Sequence, residues 1–187
     1  EVSSYDILID QEPAKNAILT TKFRNVDLLP ASMDLAGAEL ELVDIPERQT
    51  RLKKALADVN ENYDYILLDC PPSLGLITLN ALTASDSFLV PIQCEYYALE
   101  GLSQLLNTVK TIKRLYNPSI DLEGVVLTMF DNRLNLTQQV VAEVKKYFPN
   151  KVFETAIPRN VRLSEAPSFG MPVLYYDRGS RGSMAYI

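Results

Sequence analysis

The stretch YDYILLDCPPSLG, residues 63–75, limits the fold of this chain more than any other. Tyr65-Ile66-Leu67-Leu68 is a continuous apolar run, the pattern expected of a strand covered on both faces. Asp69 ends it, and Pro71-Pro72 stops it abruptly. A carboxylate in this place has two readings. It caps the following helix, or it faces a metal-bound phosphate. Proline twice in succession prevents a helix from starting right at Asp69 and stiffens the loop, which favours the second reading.

Elements of the same kind recur along the chain. Residues Asp6 to about Thr20 read as short and helical, and Val26 to Pro30 as a brief strand stopped by proline. Met33 to Val43 is rich in Ala, Leu and Glu and favours helix. Pro46 is placed to open another helix, with Leu52, Ala55, Leu56 and Val59 on one side. Helix is expected again over Leu76–Leu82, then a buried strand over Phe88–Ile92. A long helix follows from about Ala98 to Tyr116, with Leu99, Leu102, Leu106, Val109, Ile112 and Tyr116 on one face; Asn117-Pro118 closes it. Leu122–Phe130 reads as a strand, Leu136, Val140, Val144 and Tyr147 as the apolar face of a helix, and Val152–Ile157 as a strand. A short helix near Val161–Ala166 and a short strand at Val173–Tyr175 complete the series. Strands alternating with helices predict an α/β fold: a mostly parallel, doubly wound sheet with helices on both faces, in one domain spanning 1–187. Ligands of such sheets gather at the carboxyl ends of strands, here 69–73, 93–97, 131–133 and 158–162.

Composition narrows the chemistry. The 187 residues include no histidine, which removes His-ligated metals and His-based triads within this sequence. Net charge is −6, so nucleic acid would have to be met by a local basic patch rather than by the whole molecule. Cys70 and Cys94 lie 24 positions apart, which is neither a zinc spacing nor a redox pair. They read as two buried, inert thiols of a reducing cytoplasm. No apolar run approaches the ~20 residues of a membrane span. The chain starts without methionine or a secretory signal and ends on apolar Met184-Ala185-Tyr186-Ile187, so it reads as a piece of a longer protein, cut at both ends.

Apolar residues leading to Asp69 form the pattern of a Walker B segment, whose acid holds Mg²⁺, or a water on it, beside nucleotide phosphates. The stretch YDYILLDCPPSLGLITLNALTASDSFLVPIQCEYYALEGLSQLLNTV closely resembles the ParA/Soj family of partitioning ATPases. LPASMDLAGAELEL, LTMFDNRLNL and IPRNVRLSEAPSFGMPVLYYDRGSRG match the same family in the same order, so the resemblance covers essentially the whole chain. It implies a P-loop NTPase-like fold. Family members carry a K-G-G-x-G-K-T phosphate loop near the amino terminus; here no Gly-Lys pair occurs among the seven glycines. The loop and its β-α-β unit of roughly 30 residues are therefore expected upstream of Glu1, with the acid that positions the attacking water. A fragment without them is expected not to bind or hydrolyse ATP productively.

The resemblance implies the remaining roles. Asp69 matches the Walker B acid, the catalytic and Mg²⁺ residue, acting on the metal through water. Pro158 and Asn160 match positions lining adenine; otherwise they are an ordinary strand-to-helix turn. The loop Gln93–Tyr97 resembles one near a nucleotide-dependent dimer interface. Arg133 and Arg162 match arginines that hold DNA without regard to sequence, and Lys145, Lys146 and Lys151 would extend the patch. Leu134 departs from the small polar residue many relatives have. The implied protein uses ATP and Mg²⁺, forms a homodimer, binds non-specific DNA, answers to a ParB-type partner and is cytoplasmic and nucleoid-associated, away from membranes. Two alternatives stay open: a MinD-like membrane-associated ATPase, and a non-enzymatic interaction module lacking the nucleotide loop.

Overall fold

A computed structural model describes residues 2–71, 73–95 and 98–187. They fall into two compact units, residues 1–86 with 107–120 and residues 87–106 with 121–187.

The first unit opens with α1 (Ser4–Ile9), fixed by a capping box in which Ser3 and Asp6 satisfy each other's backbone amides. Strands β1 (Leu19–Thr20) and β2 (Asp27–Leu28) form a short antiparallel pair. The Met33–Val43 helix is broken into a 3₁₀ turn, α2 (Ala38–Glu41) and a second 3₁₀ turn. Helix α3 (Arg51–Leu56) begins later than Pro46 suggests. Glu47 lies at φ +53°, so the chain turns there and cannot carry a helix on from the proline. Arg51 donates to the carbonyls of Leu8 and Ile9, covering the end of α1. Helix α4 (Leu76–Ala84) is locked to α3 by the buried Asn80, which accepts from the Leu52 amide and donates to the Arg48 and Leu76 carbonyls. Ile7, Ala14, Ala17 and Val59 form one buried cluster of this unit, and Ala38, Leu42, Ile112 and Ile120 are buried as well.

The expected buried strand at Tyr65–Leu68 is not formed. Residues 64–71 make no backbone hydrogen bond to another described residue. Ile66 and Leu68 are half-buried, whereas Tyr65 and Leu67 are 85% and 91% exposed. A strand exists through its neighbours' amides and carbonyls, and within its unit this segment has none beside it. Pro72 lies outside the described residues, so the loop 69–73 is only partly described.

In the second unit, strand β3 (Ser87–Gln93) pairs in parallel with β4 (Asp121–Thr128), with Phe88 opposite Leu122. The chain between them carries helix α5 (Ala98–Leu115), of which residues 98–106 belong to this unit, so the parallel pair is joined by a β-α-β connection. Helix α6 (Asn135–Tyr147) buries Thr137, Val140 and Val144, with Phe148 just beyond its end. Leu136 and Tyr147, expected on that face, are exposed. Val90, Ile92, Leu102, Val125, Val140 and Val144 are among the residues that make up the core. The segment 152–158 runs beside β4 and Phe130 only in pieces, through parallel bridges Val125–Val152 and Phe130–Pro158. Helix α7 (Val161–Glu165) appears as expected, and Gly170, at φ +59°, ends the 3₁₀ turn after it in a left-handed conformation. The strand expected at Val173–Tyr175 is instead helix α8 (Val173–Tyr176). Pro172 just before it, at φ −59°, suits a helix start, and its carbonyl accepts from the Tyr175 and Tyr176 amides. Helix α9 (Arg181–Ala185) closes the chain.

Candidate functional site

Two loops leave the carboxyl end of β4 and the segment beside it. Phe130 N–H donates to the Ile157 carbonyl (3.0 Å), and Arg159 N–H donates to the Phe130 carbonyl (3.3 Å). These bonds tie the start of the 131–133 loop to the start of the 158–162 loop. Met129 at φ +53° turns the chain out of β4.

In the first loop the Asp131 carboxylate accepts from the Arg133 amide at 3.1 Å, closing a tight turn. The Arg133 side chain then folds back on the same carboxylate through two bonds, Nε to Oδ1 at 2.9 Å and Nη2 to Oδ2 at 2.6 Å. This is the fork geometry that matches guanidinium to carboxylate, and equally to phosphate. Arg133 remains 84% exposed, and Asp131 only 19%. The Arg133 side-chain bonds, and then its amide, pull the Asp131 carboxyl down to about 2.

In the second loop Asn160 caps α7, its side-chain oxygen accepting from the Arg162 amide at 2.9 Å. The sequence alternative, a strand-to-helix turn, therefore describes its local structure; its side-chain amide nitrogen has no described partner. Arg162 lies between two acids, Nη1 to Glu165 at 2.7 Å and Nε to Asp177 at 3.2 Å. The hydrogen bond to Glu165 leads in raising its pKa. Tyr176 Oη donates to the same Glu165 oxygen at 3.1 Å. Gly182 makes this corner possible, because a Cβ there would meet Leu163 Cγ at 2.6 Å. Arg159 pairs with Glu95, which follows β3, at 3.3 Å. Tyr96 and Tyr97 of the expected dimer-interface loop lie outside the described residues.

Lys145 and Lys146 occupy the last turn of α6, ten positions and about 15 Å from its first residue. Lys151 meets Asp121, the first residue of β4, at 3.4 Å. The three lysines thus lie toward the end of the unit opposite the two arginine loops. The acids opposite the arginines were not among the sequence candidates. An arginine and a glutamate three positions apart on a helix was a readable signal for Arg162–Glu165; nothing local marks Asp177.

Asp69, in the first unit, is exposed at the end of the irregular 64–71 segment and forms no ion pair or hydrogen bond with another described residue. The described residues hold no group of three potential metal-binding side chains; a single carboxylate is still a ligand count that Mg²⁺, which keeps several waters, accepts. Beside it Cys70 is exposed, not buried as expected, while Cys94 is buried. Desolvation and then the Asp69 charge push the Cys70 thiol up. No described helix is long and apolar enough to cross a membrane.

A family profile described as an AAA domain matches residues 1–122. The chain is 59% identical over 183 residues to the sporulation initiation inhibitor protein Soj of Bacillus subtilis, covering 98% of this chain and 72% of that protein. It is 52% identical to the chromosome partitioning protein ParA of Myxococcus xanthus, covering 98% of this chain and 65% of that one. Among solved structures it is similar to cobyrinic acid a,c-diamide synthase of Mycobacterium smegmatis with bound ATP analogue and magnesium, with a TM-score of 0.82, 34% identity, and coverage of 99% of this chain and 68% of that one. The chain belongs to the Soj/ParA family of chromosome-partitioning ATPases, on a P-loop NTPase fold.

Proposed function

We propose that this chain is the DNA-holding and Walker B portion of a partitioning ATPase that grips DNA without reading its sequence. The observation that carries the reading is the pair of arginines, Arg133 and Arg162, on two tied loops at one end of a parallel sheet. Arginine is permanently charged, and its fork suits phosphate oxygens. Contacts to the phosphate backbone position a protein on DNA but carry no sequence information. The lysines at the far end of α6 would meet a different stretch of backbone.

Asp69 would hold Mg²⁺ through water, and Pro158 with the amide nitrogen of Asn160, which has no partner among the described residues, would meet adenine. When bound, Mg²⁺ supplies charge neutralisation at the phosphates during transfer to water. Asp69 would hold that ion from its loop, and its carboxylate is exposed. Phosphate binding also needs a K-G-G-x-G-K-T loop; this sequence holds no Gly-Lys pair, so the 187 residues alone are expected to turn over no ATP. ATP would lock two copies together, the dimer would present paired arginines to DNA, and a ParB-type protein would stimulate hydrolysis. The setting is the cytoplasm, on the nucleoid.

Equilibrium binding to duplexes of unrelated sequence tests the DNA part. Arg133→Ala and Arg162→Ala should each weaken binding to every duplex alike and flatten the log–log salt dependence by about 0.9. Loss confined to one sequence contradicts it.

A further inference from the structure

We infer that Asp131, Glu165 and Asp177 set the DNA affinity of this surface by occupying the two arginines as internal stand-ins for phosphate. The inference rests on the DNA-binding reading and concerns how the same surface is controlled. Arg133 presents both arms of its fork to Asp131, and Arg162 is held by Glu165 on one side and Asp177 on the other. These are the donors a phosphate would use. The arginines remain 84% and 50% exposed, so a phosphate can reach them; Asp131, Glu165 and Asp177 are the more covered partners, at 19%, 37% and 36%. Binding DNA is then an exchange: each phosphate takes the place of a carboxylate already bonded to the same nitrogens. Exposed pairs of this kind are weak enough to exchange, and salt weakens them further. The carboxylates also place negative charge where DNA must approach, in a chain that is already acidic. A loose grip, readily released, follows from that competition.

The test uses the chain joined to a K-G-G-x-G-K-T phosphate segment, in Mg–ATP, and a fluorescent duplex of arbitrary sequence, titrated at several salt concentrations. Asp131→Asn keeps the side-chain oxygen that accepts from the Arg133 amide, so the turn is preserved while the competing charge is gone. Glu165→Gln and Asp177→Asn do the same around Arg162. Each variant should bind about two- to fivefold more tightly than the parent, the range expected for an exposed ion pair, and the gain should shrink as salt rises. Variants that bind no more tightly than the parent, or do not bind at all, overturn the inference. A second outcome separates it from the reading beneath it. If Arg133→Ala and Arg162→Ala weaken binding but the carboxylate variants do not strengthen it, the DNA surface stands and the exchange fails. If the arginine variants change nothing, the DNA surface itself fails.

Discussion

At the scale of single residues, the structure pairs side chains that the sequence offers as lone charges. Arg133 is a surface cation by sequence, but its fork already holds a carboxylate. The pairing has a pH signature with a definite sign. Asp131 has its folded pKa lowered from 3.8 to about 2, so the stabilisation from its pairing is fully present above about pH 4 and is lost as pH falls through about 2. A carboxyl-carbon NMR titration should place the Asp131 midpoint near 2 in the parent and nearer the ordinary value in Arg133→Ala. An unshifted midpoint in the parent removes the ion pair from the account. Arg133, Arg162, Asn160 and Asp69 were nameable from the sequence because each sits in a distinctive string. Asp177 was not, because it reaches Arg162 from fifteen positions away through the packing of α8 and α9 on α7, which no local pattern encodes.

At the scale of elements, legibility followed the source of the stabilising bonds. Helices α4, α5 and α6 and strands β3 and β4 were readable because their own hydrogen bonds or a sequence-adjacent partner complete them. The 65–68 run was misread because an apolar stretch says what a strand would bury, not whether another strand lies beside it. Val173–Tyr175 was misread as a strand, because Pro172 before it set a helical start. On α6 the buried stripe is Thr137, Val140 and Val144, continued by Phe148, with Leu136 and Tyr147 turned out. Val144→Ala should therefore cost roughly 2 kcal/mol, two buried methyl groups with a small cavity. Tyr147→Ala, 65% exposed, should stay within about 0.5 kcal/mol. Chemical denaturation of both variants checks this; equal losses would put the helix in the wrong rotational setting.

At the scale of the whole molecule, an exposed acid in one unit and two paired arginines in the other belong to a chain of the Soj/ParA family. The α/β class and the family were legible over nearly the full length of the chain, because motif strings and element order agree. In the proposed ATP chemistry the acid on the metal would be Asp69, with Pro158 and Asn160 at the adenine. The direct measurement is Mg²⁺-dependent ATP turnover by the chain joined to a K-G-G-x-G-K-T phosphate segment, with and without Asp69→Ala. The account predicts turnover in the joined protein that falls by about two orders of magnitude or more on losing the acid, with the circular dichroism spectrum unchanged. Turnover that is undiminished by Asp69→Ala, or no Mg–ATP binding by the joined protein at all, would contradict it.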